Sequence, residues 1–108
     1  MLRLTENENI AIQHLKEVLL KKFNLIDFRL YGSKVRAESN AESDIDVMIE
    51  LDELNYSIES QIDDIIFEIN MEYDIFISIL FFSKSEIERG PMSESPIYKT
   101  IQKQGVPF

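Results

Sequence analysis

The chain has 108 residues, a formal net charge of −9 and no cysteine. Disulfides and thiolate metal sites are therefore excluded, the lone His14 excludes a zinc centre built on several imidazoles, and the acidic balance disfavours general nucleic-acid binding because it repels a phosphate backbone. The length predicts one domain over residues 1–108, large enough to bury a core without staples.

No apolar stretch is long or charge-free enough to span a bilayer, and the N-terminus lacks the basic-then-apolar layout of a signal peptide. The expected compartment is the cytoplasm. Thr5 as N-cap, with Glu6 and Glu8 in the first turn, predicts a helix over residues 6–23. Ile10, His14, Leu15, Val18, Leu19 and Lys22 follow helical spacing and give a mostly apolar stripe, with His14 at its edge. Residues 26–31 alternate as a strand, placing Phe28 and Leu30 on one face and Arg29 and Tyr31 on the other. Gly32 breaks that strand, residues 33–36 make one helical turn, and residues 37–43 read as a polar loop.

From Asp44 the alternation is strict: Ile45, Val47, Ile49 and Leu51 point one way, and Asp44, Asp46, Met48 and Glu50 the other. A second long helix is predicted over residues 56–72 on the spacing of Ile58, Ile62, Ile65, Ile66 and Ile69. Residues 74–82 form the most apolar run and predict a central strand buried on both faces, with Phe76, Phe81 and Phe82 in the core. Ser83 caps a short helix at 84–88, Gly90-Pro91 breaks it, and Pro96 opens a last helix over 96–104 that Gly105 and Pro107 end. This order is that of a small α/β domain, a mixed β-sheet with helices packed mainly on one face. The second long helix acts as a crossover and makes its flanking strands parallel.

Two short motifs carry chemistry. Asp44 and Asp46, two apart on a strand, project from one face and reach one cation from the strand end. Mg²⁺ takes hard oxygen ligands and is commonly held by one or two carboxylates plus substrate phosphates, so this pair fits a metal completed by a nucleotide. Taken alone in an acidic chain, two solvated carboxylates are the favoured reading. Gly32-Ser33 after a strand lets the backbone turn sharply, with free first-turn N–H groups, the Ser33 hydroxyl, and the charges of Lys34 and Arg36 available to an anion. Taken alone, this is an ordinary capped turn. Side by side, the two supply the parts that metal-assisted chemistry on a nucleoside triphosphate needs. Tyr31 and Met48 fall on the same face as the acid pair and are expected to line the pocket.

The run Gly32-Ser33-x-x-Arg36, then Ser43-Asp44-x-Asp46-x-x-Ile49, resembles the minimal nucleotidyltransferases of the polymerase-β-like superfamily, antitoxin type. The loop length matches, and the helix before the motif, the apolar third strand and the tail from Ser95 to Val106 also look like that family. The resemblance implies the nucleotidyltransferase fold, with Gly32, Ser33, Lys34, Arg36 and Ser43 holding the nucleotide. It also implies that Asp44 and Asp46 hold two Mg²⁺ ions and that a third carboxylate completes the metal site. Aligning on Tyr73 and Ser78 puts Phe76 at that third position. Asp74 is the expected substitute, on the same side of the strand and ~7 Å further along, with Glu72 a weaker one. Ala37 stands where the family usually has glycine.

The implied reaction moves AMP from ATP onto a hydroxyl. The implied acceptor is a tyrosine of a small helical HEPN-type toxin, with this chain as the antitoxin; its acidity suits docking on a basic partner. Phe76 favours the alternative, a weakly active or inactive nucleotide-binding antitoxin that acts by contact. Transfer to an antibiotic has less support, and a homo-oligomer is left open.

Overall fold

The computed structural model of the chain describes residues 4–36 and 44–108; Ser43 lies outside them. Helix α1 (Glu6–Lys22) begins with a reciprocal cap. The Glu8 backbone N–H donates to Thr5 Oγ1 at 3.1 Å, and the Thr5 N–H donates to Glu8 Oε1 at 2.9 Å. Two otherwise orphaned donors of the first turn are satisfied. The buried stripe of α1 is Glu8, Ala11, Ile12, Leu15 and Leu19. This corrects the stripe expected through Ile10, which is 48% exposed. The helix is turned so that the series beginning at Glu8 meets the sheet, because Glu8 itself goes inward.

Strand β1 (Leu25–Tyr31) runs antiparallel to β2 (Ile45–Leu51), with the short helix α2 (Ser33–Arg36) after β1. Helix α3 (Tyr56–Tyr73) is capped by Asn55, whose side chain accepts from the Ile58 N–H at 2.9 Å. It crosses over to β3 (Ile77–Ser83), parallel to β2 as expected. Helix α4 (Lys84–Glu88), a 3-10 turn (Pro91–Glu94), helix α5 (Pro96–Gln104) and the two-residue strand β4 (Val106–Pro107) complete the chain. The sheet order is β3-β2-β1-β4. The 3-10 turn and β4 are additions to the predicted elements.

The apolar run after α3 is shorter than predicted and is an edge strand, not a central one. Two-sided covering explains its composition: Ile77, Ile79 and Phe81 pack with the α1 and α3 side, and Leu80 and Phe82 pack under α4 and α5. Burial on both faces carries no information about lateral position in the sheet. The interior strands are β1 and β2; Asp46 lies on β2 and Asp44 just before it.

On the α5 face, Ile101 (0% exposed) packs with Met48 and Phe82, and the Tyr98 ring meets Phe82 edge-on at 5.1 Å. Full burial of one such aliphatic side chain stabilises by about 1.5–3 kcal/mol. That exceeds the about 0.5–1.5 kcal/mol typical of a hydrogen bond such as Gln102 Nε2 to Asp27 Oδ2 at 3.4 Å. Apolar packing is therefore the larger contribution to holding α5 on the sheet.

Glu50 is buried on this same face, opposite Asp27 of β1. Burial first, then Asp27 and Glu88, raise its pKa, with Lys84 opposing. The folded state then holds this proton to higher pH than the unfolded chain does. The associated stability is complete below the ordinary glutamate pKa and is lost as pH rises through the raised one. Glu50→Gln is expected to raise the melting temperature at neutral pH and to leave it unchanged in acid, as read from thermal melts across pH.

Candidate nucleotide and metal site

The antiparallel register of β1 and β2 assembles the site. Tyr31 at the end of β1 is the cross-strand partner of Asp46 at the start of β2, so the turn after one strand abuts the acid pair opening the other. Gly32 takes φ +78°, and a Cβ built there would overlap Asp46 Oδ2 and lie 3.1 Å from Asp46 Cγ. Glycine is needed twice over, for its left-handed backbone and for the room it leaves a carboxylate. Gly32→Ala is expected to lower the melting temperature, as read by thermal melts.

After Gly32 the chain enters α2, where the Val35 and Arg36 N–H groups both donate to the Gly32 carbonyl at 3.1 Å. Tyr31, Gly32, Val35, Arg36 and Asp46 form one side of a cavity of about 260 Å³. Ile97, Thr100 and Gln104 of α5 form the other. These three were not among the expected site residues. Their spacing along the last helix was a readable signal, but which of its faces would meet the turn was not.

The expected residues divide as follows. Gly32, Arg36 and Asp46 line the cavity. Asp44 is exposed just before β2, and Ser33 is half-buried at the start of α2. Lys34 does not line it: its side chain is buried, with Nζ 3.0 Å from Glu8 Oε2 of α1. Met48, expected in the pocket, is instead fully buried under Ile101, because α5 covers that part of the face.

Asp74 is not on a strand. It is the C-cap of α3 at φ 53°, a left-handed position that Asp and Asn tolerate better than most residues, with its N–H on the Asn70 carbonyl. The strand geometry that aligned it with Phe76 therefore does not apply. Among the described residues no three His, Cys, Asp or Glu side chains come together as a metal site. Phe76 is 73% exposed rather than in the core, and its carbonyl accepts from the Ile45 N–H at 2.8 Å, beside Asp44. The adjoining Ser78 pairs in register with Asp46.

The electrostatics at Asp46 suit a cation. Partial burial first, then the neighbouring Asp44, raise its carboxyl pKa, while Arg36 opposes them. Two like charges held side by side on one strand end, both hard oxygen donors, match a divalent cation that keeps positions open for other ligands. Burial and then Asp46 raise the pKa of Tyr31, so its phenol stays protonated beside the acid pair.

A glycine turn laid against an Asp-x-Asp strand end puts anion donors beside hard oxygen ligands, the groups that metal-assisted chemistry on phosphates uses. The chain belongs to the nucleotidyltransferase domain family, which it matches over residues 12–104. Within the curated proteins it is similar to the "Putative protein adenylyltransferase MJ1379" of Methanocaldococcus jannaschii, 43% identical over 56 residues, 52% of this chain and 55% of that one. It is also similar to the protein adenylyltransferase MntA of Thermococcus cleftensis, 37% identical over 54 residues, 50% of this chain and 54% of that one. The chain spans about half the length of these relatives.

Proposed function

We propose that this chain transfers AMP from ATP to a hydroxyl on a protein. The observation that carries the reading is the contact of Gly32 with the Asp46 carboxylate at one cavity wall, which brings an anion-cradling turn and a cation-seeking acid pair together. The names of the two relatives, both protein adenylyltransferases, support AMP as the group moved and a protein as acceptor.

In this reading Asp44 and Asp46 hold Mg²⁺, with Gly32, Ser33 and Arg36 toward the phosphates and Ser43 as a further contact. When bound, the metal supplies charge neutralisation at the phosphates and lowers the pKa of an acceptor hydroxyl. Arg36 brings positive charge to the same wall, and the protonated Tyr31 offers a donor there. The attacking hydroxyl displaces pyrophosphate at the α-phosphate. The acceptor is a tyrosine of a HEPN-type toxin in the cytoplasm, which AMP addition silences.

The second reading is contact neutralisation with little or no transfer. Phe76 in the place of the third carboxylate, and Asp74 at a helix cap, favour it. Incubation with α-labelled ATP, Mg²⁺ and the product of the neighbouring gene separates the two. Label on that partner, lost in Asp44→Asn, supports transfer. Tight binding without label supports contact neutralisation.

A further inference from the structure

Strand β3 is an edge of the sheet with an uncharged sequence, Ile-Ser-Ile-Leu-Phe-Phe-Ser. Such an edge templates the addition of another strand, and proteins commonly block it with lysine, proline or a bulge. β3 has none of these, and its pairing with β2 runs in unbroken register. The Ile45 N–H donates to the Phe76 carbonyl. In a parallel ladder bonding then alternates along the strand, so Ser78, Leu80 and Phe82 bond toward β2. Ile77, Ile79, Phe81 and Ser83 present their backbone groups to the open side. At both ends the chain caps its own outward donor: the Ile77 N–H donates to Asn70 Oδ1 at 3.0 Å, and the Ser83 N–H to Glu86 Oε1 at 3.1 Å. Among the described residues the N–H groups of Ile79 and Phe81 have no such partner. The stretch between the caps is also the less covered one. Ser78 is exposed and Ile79, Leu80 and Phe81 are half-buried, whereas Ile77, Phe82 and Ser83 are buried.

This open window is symmetric about Leu80, with the uncapped Ile79 and Phe81 on either side and the capped Ile77 and Ser83 beyond them. We propose that β3 pairs with β3 of a second copy of this chain, antiparallel about a two-fold axis at Leu80. Ile79 of each copy then stands opposite Phe81 of the other and exchanges both backbone hydrogen bonds with it. Every free N–H of the window is used, and no capped one is needed. An unrelated strand would also satisfy backbone groups, but the symmetric placing of the caps matches a surface that meets itself and closes at two copies. Helix α3 supplies an apolar flank. Asn70 reaches β3, which fixes the side of α3 that leans over the edge. Phe67, one turn back on that side, is 66% exposed, and its i+4 neighbour Met71 is 71% exposed. Joining the strands brings the two α3 helices side by side over one face of the continuous sheet. The opposing force is charge, since α3 carries Glu59, Asp63, Asp64, Glu68 and Glu72 and no basic residue. Salt screens that repulsion, so the dimer tightens as salt rises, the reverse of what a basic partner on this face would show.

The test is sedimentation equilibrium of the full chain from about 1 to about 500 μM, with hydrogen exchange read at the Ile79 and Phe81 amides. A monomer–dimer equilibrium is expected, tighter in about 0.5 M than in about 0.05 M NaCl, with both amides slowed as the dimer fills. Ile79→Pro removes an outward donor and leaves the β2 ladder whole, and is expected to weaken the dimer at least about ten-fold. Phe67→Ser, at an exposed position, is expected to weaken it by a smaller factor while the monomer stays folded in thermal melts, and it decides the case where the proline variant misfolds. A chain that stays monomeric at the highest concentration overturns the proposal. So does a dimer in which Ile79 and Phe81 stay unprotected and Phe67→Ser changes nothing. Protection of those amides only on adding the product of the neighbouring gene also overturns it and gives the edge to that partner. The transfer reading stands or falls separately from all of these outcomes.

Discussion

Asp46→Asn is expected to cut kcat/KM for AMP transfer by at least about 100-fold and, at neutral pH, to raise the melting temperature. The first effect follows from the proposed role of Asp46 as a metal ligand, since even residues that only orient such ligands are worth about 10–100-fold. The second follows from the pKa direction. Partial burial and Asp44 raise the Asp46 pKa in the folded state, so ionised Asp46 opposes folding at any pH above that raised value. A neutral amide of the same shape removes that opposition. Below the ordinary aspartate pKa both forms are neutral and the stability gain disappears. Asp44→Asn, at an exposed position, is expected to lose activity with a smaller stability change. Steady-state kinetics and thermal melts on the same preparations check all of this. Activity and stability falling together in Asp46→Asn would mean that the side chain serves the fold instead.

Lys34→Met is expected to cost about 3–5 kcal/mol of folding stability, because it leaves the Glu8 carboxylate buried without its cation. A domain of this kind is stable by only about 5–15 kcal/mol, so urea unfolding would show a large shift of midpoint. Glu8→Gln combined with Lys34→Met is expected to recover much of the loss, since the desolvation of both charges goes with their attraction. In Glu8→Gln the side-chain amide oxygen still accepts from the Thr5 N–H, so the α1 cap survives the double change. A lysine acting directly on phosphates predicts the reverse pattern: ATP binding lost, stability untouched. The buried pair favours the first outcome. It joins the start of α1 to the helix following the glycine turn, and so ties the turn to the core.

Much of this architecture is legible in the sequence because it is local. Thr5, Asn55 and Ser83 as caps, the alternation after Asp44 and the spacing of the α3 isoleucines each report on a few neighbouring residues. The acid pair and the glycine turn are legible for the same reason. What is not legible depends on which elements meet. The α1 stripe is misplaced from sequence because Glu8 looks like a surface acid until its partner on α2 is known. The edge position of β3, the covering of Met48 and the contribution of α5 to the cavity all follow from tertiary contacts between distant segments. Asp74 is misread when strand alternation is extended back across a helix cap.

The pairing of β4 with β1 has a consequence for synthesis. Val106 and Pro107 lie against Leu30 and Arg29, the Phe108 N–H donates to the Phe28 carbonyl at 3.1 Å, and Lys16 Nζ donates to the Phe108 carbonyl at 2.6 Å. This latch holds the far end of α5 where it closes the cavity. On the ribosome the glycine turn and the acid strand emerge early, and the wall opposite them arrives only with the last residues of this stretch. A nascent chain therefore has its glycine turn and acid pair before the helix that forms the opposite cavity wall exists.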